Sequence, residues 1–173
     1  EGRLRLGTLK TVPVSTQPLS AIEQLLVYSR LVAVDPRTAT IHGDLASAIE
    51  VVDPLEVRFQ LQAEVFFHPD EDSLAQPVSA LTVRRSFEEQ AAAGVPLFND
   101  IIESVEAPDA GNVVLRLKGP FAFLFELLGA AEASIRSESH YPGFREAIGS
   151  GLFIPSGQDR TGHALLANEL HHH

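Results

Sequence analysis

The sequence predicts an α+β protein, with mixed or antiparallel sheets and packed helices, and three stretches carry that prediction. Leu55, Val57, Phe59 and Leu61 alternate with Glu56, Arg58, Gln60 and Gln62, the period of a strand with one buried face. That strand is read from Leu55 to a Phe-Phe-His corner at His68. Ala80, Val83, Phe87 and Ala91 then recur at three- and four-residue spacing, which predicts an amphipathic helix over Ser79–Ala93. Val113, Leu115 and Leu117 alternate again, and Pro120 opens an apolar helix, Phe121–Leu128. Each element has one apolar face, so strands and helices must cover one another in layers.

Taken in order, Leu4, Leu6 and Leu9 alternate with basic residues as an opening strand, and Pro13 and Pro18 punctuate a loop over Thr11–Pro18. Leu19, Ile22, Leu25, Leu26 and Ser29 trace a helical face through Leu31, with Pro18 suited to its first turn. Leu31–Pro36 reads as a strand ending in a turn, and Ile49–Val52 as a short strand before the Asp53-Pro54 turn. Pro69–Pro77 is an irregular acidic loop. Ser79 is placed to cap the next helix, but Thr82 stands where a capping box has an acid, so that reciprocal bond is expected to be weak or absent. Gly94 ends the helix. Ile101–Glu106 and Val113–Lys118 form a hairpin around Gly111-Asn112. Further on, Ser134–Arg136 allows a strand, His140–Gly143 is a turn, and Leu152–Pro155 pairs with His163–Leu166.

Composition narrows the functional classes. The 173 residues, 45% of them hydrophobic, suffice for a sizeable core. A net charge of −10, from 23 acids against 13 bases, disfavours nucleic-acid binding. No apolar run is long enough to insert into a membrane. The absence of cysteine excludes disulfides, thiolate metal sites and cysteine nucleophiles. The chain opens at Glu1 rather than methionine and is expected to be a processed or cloned segment, with His171–His173 a purification-tag remnant.

Few residues point to chemistry. Asp70-Glu71-Asp72 beside His68 offers hard oxygen ligands, yet it lacks the glycine and spacing of a calcium loop, and a solvated surface loop explains it better. His42, His68, His140 and His163 are widely spaced with no His-x-x-x-His pair, and His68 is expected to pack at the sheet corner. Ser150 lies between two glycines, but Ile148-Gly-Ser-Gly-Leu152 does not match a nucleophile elbow, and a flexible backbone crossing is the better reading. Arg84-Arg85 is expected on the solvated side of its helix. Among the phenylalanines, Phe87 and Phe121 are assigned to the core. Phe98 follows Val95-Pro-Leu in a loop, where binding groups tend to sit. No metal or cofactor is expected, and nothing indicates catalysis.

Nine short stretches, in order, carry a resemblance. They include Asp44-Leu-Ala, Val65-Phe-Phe-His68, Ser79-Ala-Leu-Thr-Val83, Ile102-Glu-Ser-Val-Glu-Ala-Pro-Asp109, Val113-Val-Leu-Arg-Leu117, Pro120-Phe121 and Gly149-Ser-Gly-Leu-Phe153. Together they are similar to the family 5 extracellular solute-binding proteins, the dipeptide, oligopeptide and nickel receptors of ABC importers. The resemblance implies the N-terminal part of a two-lobed periplasmic-binding-protein-like fold. Residues 1–40 would begin the first lobe, 41–131 form its extra subdomain and 132–170 return into it, with the second lobe beyond Leu170. It implies a non-enzymatic, extracellular or periplasmic protein, possible lipid tethering, ABC permease partners, and capture of peptides or similar small solutes. The cleft-facing positions it implies are Thr11, Val12, Pro13 and Val14 and, in the loop Val95–Phe98, Leu97 and Phe98. The acid that meets a peptide's amino end lies in the family's second lobe. A nickel or oligosaccharide receptor is the alternative within the family, and a metal-dependent hydrolase centred on His68 the alternative outside it.

Overall fold

The computed structural model describes residues 3–5, 19–69, 75–140, 147–159 and 162–168. Its centre is a four-stranded antiparallel sheet in the order β4 (Ala46–Asp53), β5 (Glu56–Leu61), β7 (Asn112–Leu117), β6 (Ile102–Glu106). Two smaller units accompany it: a hairpin of β2 (Val32–Val34) and β3 (Ile41–Gly43), and a three-stranded sheet in the order β1 (Arg3–Arg5), β9 (Gly162–Ala167), β8 (Phe153–Asp159).

The chain enters through β1 (Arg3–Arg5), which pairs with β9 far downstream, and continues to α1 (Ala21–Val27). Ser20 caps α1 in a complete capping box: its hydroxyl accepts from the Glu23 N–H, and its own N–H donates to Glu23 Oε2 at 2.7 Å. The helix is shorter than its apolar spacing predicts, and its face is shifted: Leu19, Leu26 and Ser29 pack inward as expected, but Ile22 and Leu25 do not. Glu23 and Val27 are buried while Ile22 and Leu25 are exposed, because the capping box pulls Glu23 inward and fixes the rotation.

β2 (Val32–Val34) and β3 (Ile41–Gly43) form the small hairpin, and β4 (Ala46–Asp53) turns directly into β5 (Glu56–Leu61). The predicted alternation holds for Val57, Phe59 and Leu61, all buried, but Leu55 lies exposed in the Asp53–Glu56 turn. The strand also stops at Leu61 instead of reaching His68. Beyond it Val65 and Phe67 point inward and Phe66 outward, and Phe66 bridges to Pro77.

α2 (Ala80–Ala92) buries Ala80, Val83, Ser86, Phe87 and Gln90 and packs on β6 (Ile102–Glu106), β7 (Asn112–Leu117) and the turn that follows the helix. Its capping box is complete, contrary to expectation. The Thr82 hydroxyl replaces the usual carboxylate, accepting from the Ser79 N–H at 2.8 Å, while Thr82 N–H donates to Ser79 Oγ. A threonine reaches because the bond needs only one oxygen near the cap nitrogen. Gly94 closes the helix at φ +80°, a conformation that favours glycine.

After β7, α3 runs only from Leu124 to Leu128. Phe125 meets Phe59 edge-on, with centroids 6.4 Å apart, but Phe121, assigned to the core from sequence, is 37% exposed beside Phe123. Those two rings precede the helix and meet edge-on, with centroids 6.4 Å apart. The Ser134–Arg136 segment forms no strand; it is extended, and the Ile135 N–H donates to the Ser29 carbonyl. β8 (Phe153–Asp159) and β9 (Gly162–Ala167) pair antiparallel, as their patterning predicts.

Candidate functional site

Three separate stretches converge at the junction between the four-stranded unit and the β1-β9-β8 sheet. They are the end of α1, the corner after β5, and the crossing Gly149–Gly151. The sequence reading of this crossing as flexible is corrected by its packing. A Cβ on Gly149 would fall 2.1 Å from the Val27 carbonyl oxygen, and one on Gly151 2.6 Å from that of Leu26. Only glycine lets the two backbones approach so closely. The Gly151 N–H donates to Val27 O at 2.9 Å, and Ser29 Oγ donates to the Ser150 carbonyl at 3.2 Å.

His68 fastens the same crossing from the other side. Its backbone N–H donates to Gly149 O at 2.7 Å, and its Nε2 lies 2.8 Å from Gly151 O. A carbonyl only accepts, so Nε2 carries the hydrogen. His68 is buried, as expected for a residue at the sheet corner, and it belongs to this clasp. Asn168 adds a bond from Nδ2 to Gly151 O. Ser150 is buried at the centre of the clasp, its carbonyl engaged, which is a structural position.

Beside the clasp, Arg30 is almost fully buried. Its backbone N–H donates to Asp44 Oδ2 at 2.8 Å, and its guanidinium reaches the same carboxylate at 3.5 Å. Burial lowers the Arg30 pKa, and the Asp44 charge opposes that effect. The guanidinium also donates to the carbonyls of Leu25 and Tyr28, tying α1 to the start of the four-stranded unit.

The outer face of the four-stranded sheet carries the second polar arrangement. Glu56 accepts from Arg58 Nε at 2.8 Å and from Arg116 Nη1 at 2.5 Å, and Arg116 Nε donates to Glu106 Oε1 at 2.8 Å. The two carboxylates raise the Arg116 pKa, Glu106 most strongly. This chain of charges crosses β5, β7 and β6 along the floor of an open groove of about 510 Å³, with Gln60, Asn112 and Asp109 among its walls. The polar residues were legible as the solvent side of each strand. Their partnership was not, because it depends on the cross-strand register Glu56↔Arg116.

The residues implied as cleft-facing divide in two. Thr11, Val12, Pro13 and Val14 lie outside the described residues, as do Asp70, Glu71 and Asp72 of the acidic loop. Leu97 and Phe98 are each only 5% exposed. The loop expected around Phe98 is a π-helical turn, Leu97–Ile101, and the Phe98 ring packs on Phe87 with centroids 4.5 Å apart. Their side chains therefore serve the core of this unit. Arg84 and Arg85 pair with Glu88 and Glu89 one turn on, and Arg85 also pairs with Glu138, which keeps them on the outer side of α2. Among the described residues, no group of three or more His, Asp or Glu side chains is placed to hold a metal ion. No helix among them is long and apolar enough to cross a membrane.

No protein-family model matches the chain, and no curated protein sequence matches it. Solved structures do. HbpA2 from Haemophilus parasuis superposes with a TM-score of 0.74 at 26% identity, covering 86% of this chain and 35% of that one. The ABC transporter-associated periplasmic binding protein DppA from Helicobacter pylori, in complex with the peptide STSA, superposes at 0.76 with 24% identity, covering 90% of this chain and 36% of that one. A nickel ABC transporter structure from Bacillus halodurans superposes at 0.67 with 22% identity, covering 83% and 29%. The chain therefore has the fold of periplasmic binding proteins that serve ABC transporters, over about a third of their length, as its resemblance implied.

Proposed function

We propose that this chain is the N-terminal part of the solute-binding component of an ABC importer, which captures peptides or similar small solutes outside the cytoplasmic membrane. Residues 1–40 begin the first lobe, 41–131 are its extra subdomain, and 132–170 return into the lobe. The chain then supplies one wall of the cleft. Its single strongest support is the match in fold to DppA, which holds a peptide, across 90% of this chain. The clasp accords with this role: a rigid junction at Gly149–Gly151 would hold the subdomain and lobe in fixed relation while a second lobe closes.

In this reading the strand-like backbone of a peptide is met by backbone groups of the wall around Thr11–Val14. Leu97 and Phe98, the buried residues of the π-helical turn Leu97–Ile101, hold that turn on the core. Partners of the intact protein are permease subunits, its place is extracellular or periplasmic, and a lipid anchor would keep it at the membrane. It is a carrier and not an enzyme.

Likeness to the nickel transporter structure supports a second reading, a nickel receptor on the same scaffold. Calorimetry on the full-length protein separates them. Di- to pentapeptides are expected to bind one to one, and nickel chelates and oligosaccharides to give no heat. Nickel binding without peptide binding would transfer the protein to the second reading. Metal-dependent peptide hydrolysis would overturn both.

A further inference from the structure

We propose that Arg136 is the anchor for a carboxylate carried by a small solute. Its lack of a charge partner sets it apart. Every other arginine whose side chain is described pairs with a carboxylate, while Arg136 pairs with none of the described acids. This is in a chain of 23 acids against 13 bases, where a cation has acids to spare. The acids nearest in the chain to Arg136 and its contacts are engaged elsewhere. Glu138, two residues on, pairs with Arg85, and Glu23, next to Gln24, accepts from the Ser20 N–H.

The residue is nevertheless held in place. Its backbone N–H donates to Ser86 Oγ at 3.1 Å, its Cζ lies 5.3 Å from the centroid of the Tyr28 ring, and its Nη2 donates to Gln24 Oε1 at 3.3 Å. These holders are themselves fixed. Tyr28 is buried and its hydroxyl donates to the Ala147 carbonyl at 3.0 Å, and Gln24 Nε2 donates to the Leu19 carbonyl at 2.9 Å. An incoming group therefore finds the guanidinium already ordered. Arg136 Nε is buried without an acceptor, which costs stability. A purely structural contact on Tyr28 would avoid that cost with an uncharged side chain. A stiff, unpaired guanidinium has a use once an anion completes it.

The remaining hydrogen-bonding capacity defines the ligand. Nη1 has no acceptor among the described residues, and Nη2 keeps a second hydrogen because Gln24 takes only one. Together these two nitrogens form the end-on edge of the guanidinium fork, which matches the two oxygens of a carboxylate. Arg136 is half-buried among Tyr28, Ser86, Ile135 and Ser137, all buried, so what it offers a visitor is that narrow edge. Such a footprint suits a terminal carboxylate better than the broad face of a protein partner. The inference rests on the reading proposed above, in which the captured peptide carries this group at its carboxyl end. There its amino end meets an acid of the second lobe, and Arg136 supplies the opposite charge from this chain.

The first test observes arginine Nε–H signals of this chain by NMR, with the Arg136 signal assigned by its loss in Arg136→Lys. N-acetyl-dialanine, whose amine is blocked, should shift that signal saturably at constant ionic strength. Its C-terminal amide should not, and Arg37, exposed and paired with Asp35, should stay still. No shift at Arg136, or an equal shift with the amide, overturns the inference. The second test is calorimetry on the full-length protein with di- to pentapeptides and their C-terminal amides. Amidation should weaken binding by about 10- to 150-fold, the range of a hydrogen bond to a charged group. Arg136→Gln, with an unchanged circular dichroism spectrum, should abolish the difference between acid and amide. Peptides that bind equally well as acid and amide overturn the inference and leave the proposed function standing. Peptides that fail to bind while the blocked carboxylate still shifts Arg136 do the reverse. An Arg136 signal that ignores the carboxylate in the full-length protein also overturns it, because an acid of the remaining chain then holds the guanidinium.

Discussion

Gly149 and Gly151 are the residues on which the junction depends most directly. Their missing side chains leave room for the Leu26 and Val27 carbonyls, and those carbonyls are backbone atoms that cannot swing aside. Gly149→Ala should destabilise the chain by about 1–3 kcal/mol, the usual cost of forcing atoms into a packed site. Gly119→Ala is the control, since a Cβ there meets nothing within 4 Å. Urea denaturation of both variants checks the pair: equal midpoints would show that the crossing yields. Asp109 is a second residue with a measurable signature. Its carboxylate accepts from Asn112 Nδ2 and from the Gly111 N–H, and these bonds to the charged form lower its pKa, Asn112 most strongly. A depressed folded pKa adds stability above the unfolded value and loses it as pH falls through the folded one. The Asp109 carboxyl should therefore titrate below ordinary aspartates by carbon-detected NMR, and Asn112→Ala should move its midpoint up.

At the scale of elements, α2 is held by matched interactions at several points. Its Ser79–Thr82 capping box fixes the start, Phe87 packs on Phe98, and Gln90 Nε2 donates to the Ser134 carbonyl at 2.8 Å. Ser86 Oγ donates to that carbonyl too and accepts from the Arg136 N–H. A polar pair on the buried stripe thus docks the helix to the segment after α3. Phe87→Ala removes the largest apolar group of this stripe and should cost about 3–5 kcal/mol, as for a buried aromatic deletion. The same loss should loosen the π-helical turn, because Phe98 loses the ring it rests on. Chemical denaturation gives the first effect and amide exchange at Leu97–Ile101 the second. An unaltered midpoint would remove Phe87 from the core.

For the molecule as a whole, the main expectation concerns what one wall of a cleft can do alone. The chain spans about a third of the length of the structures it matches. On the proposed reading the chain supplies one wall, and a ligand held between two would lose here the contacts of the other, including the acid expected to meet a peptide's amino end. Loss of one partner of a buried charge pair costs on the order of 2–5 kcal/mol, or about 30- to 5,000-fold in affinity. A di- to pentapeptide that two walls hold at about micromolar levels should therefore bind this chain at roughly tens of micromolar to millimolar levels, or weaker as further contacts are lost. Titration read by amide chemical shifts checks this, and submicromolar binding would contradict the half-cleft reading.

The sequence by itself determined the α+β class, the β5 and β7 core faces, the extent of α2, and the pairing of β8 with β9. Each of these rests on local periodicity: Val57, Phe59 and Leu61 must share a face once the chain is extended there, and Val83 and Phe87 must share one once it is helical. Resemblance in a set of ordered short motifs supplied the wider architecture. Only the tertiary structure decided the rest. Phe98 became core because Phe87 stood opposite it, Ile22 was turned outward because Glu23 bonded Ser20, and Phe121 found only Phe123. The apolar pattern of a short segment allows several rotations, and a distant partner or a cap selects among them. The His68–Gly149–Gly151 clasp and the Glu56–Arg116 pair lie further still from sequence reach, since they join residues 81 or more positions apart in one case and 60 in the other. Such contacts exist only after the sheet register is set, and register is a property of the folded chain.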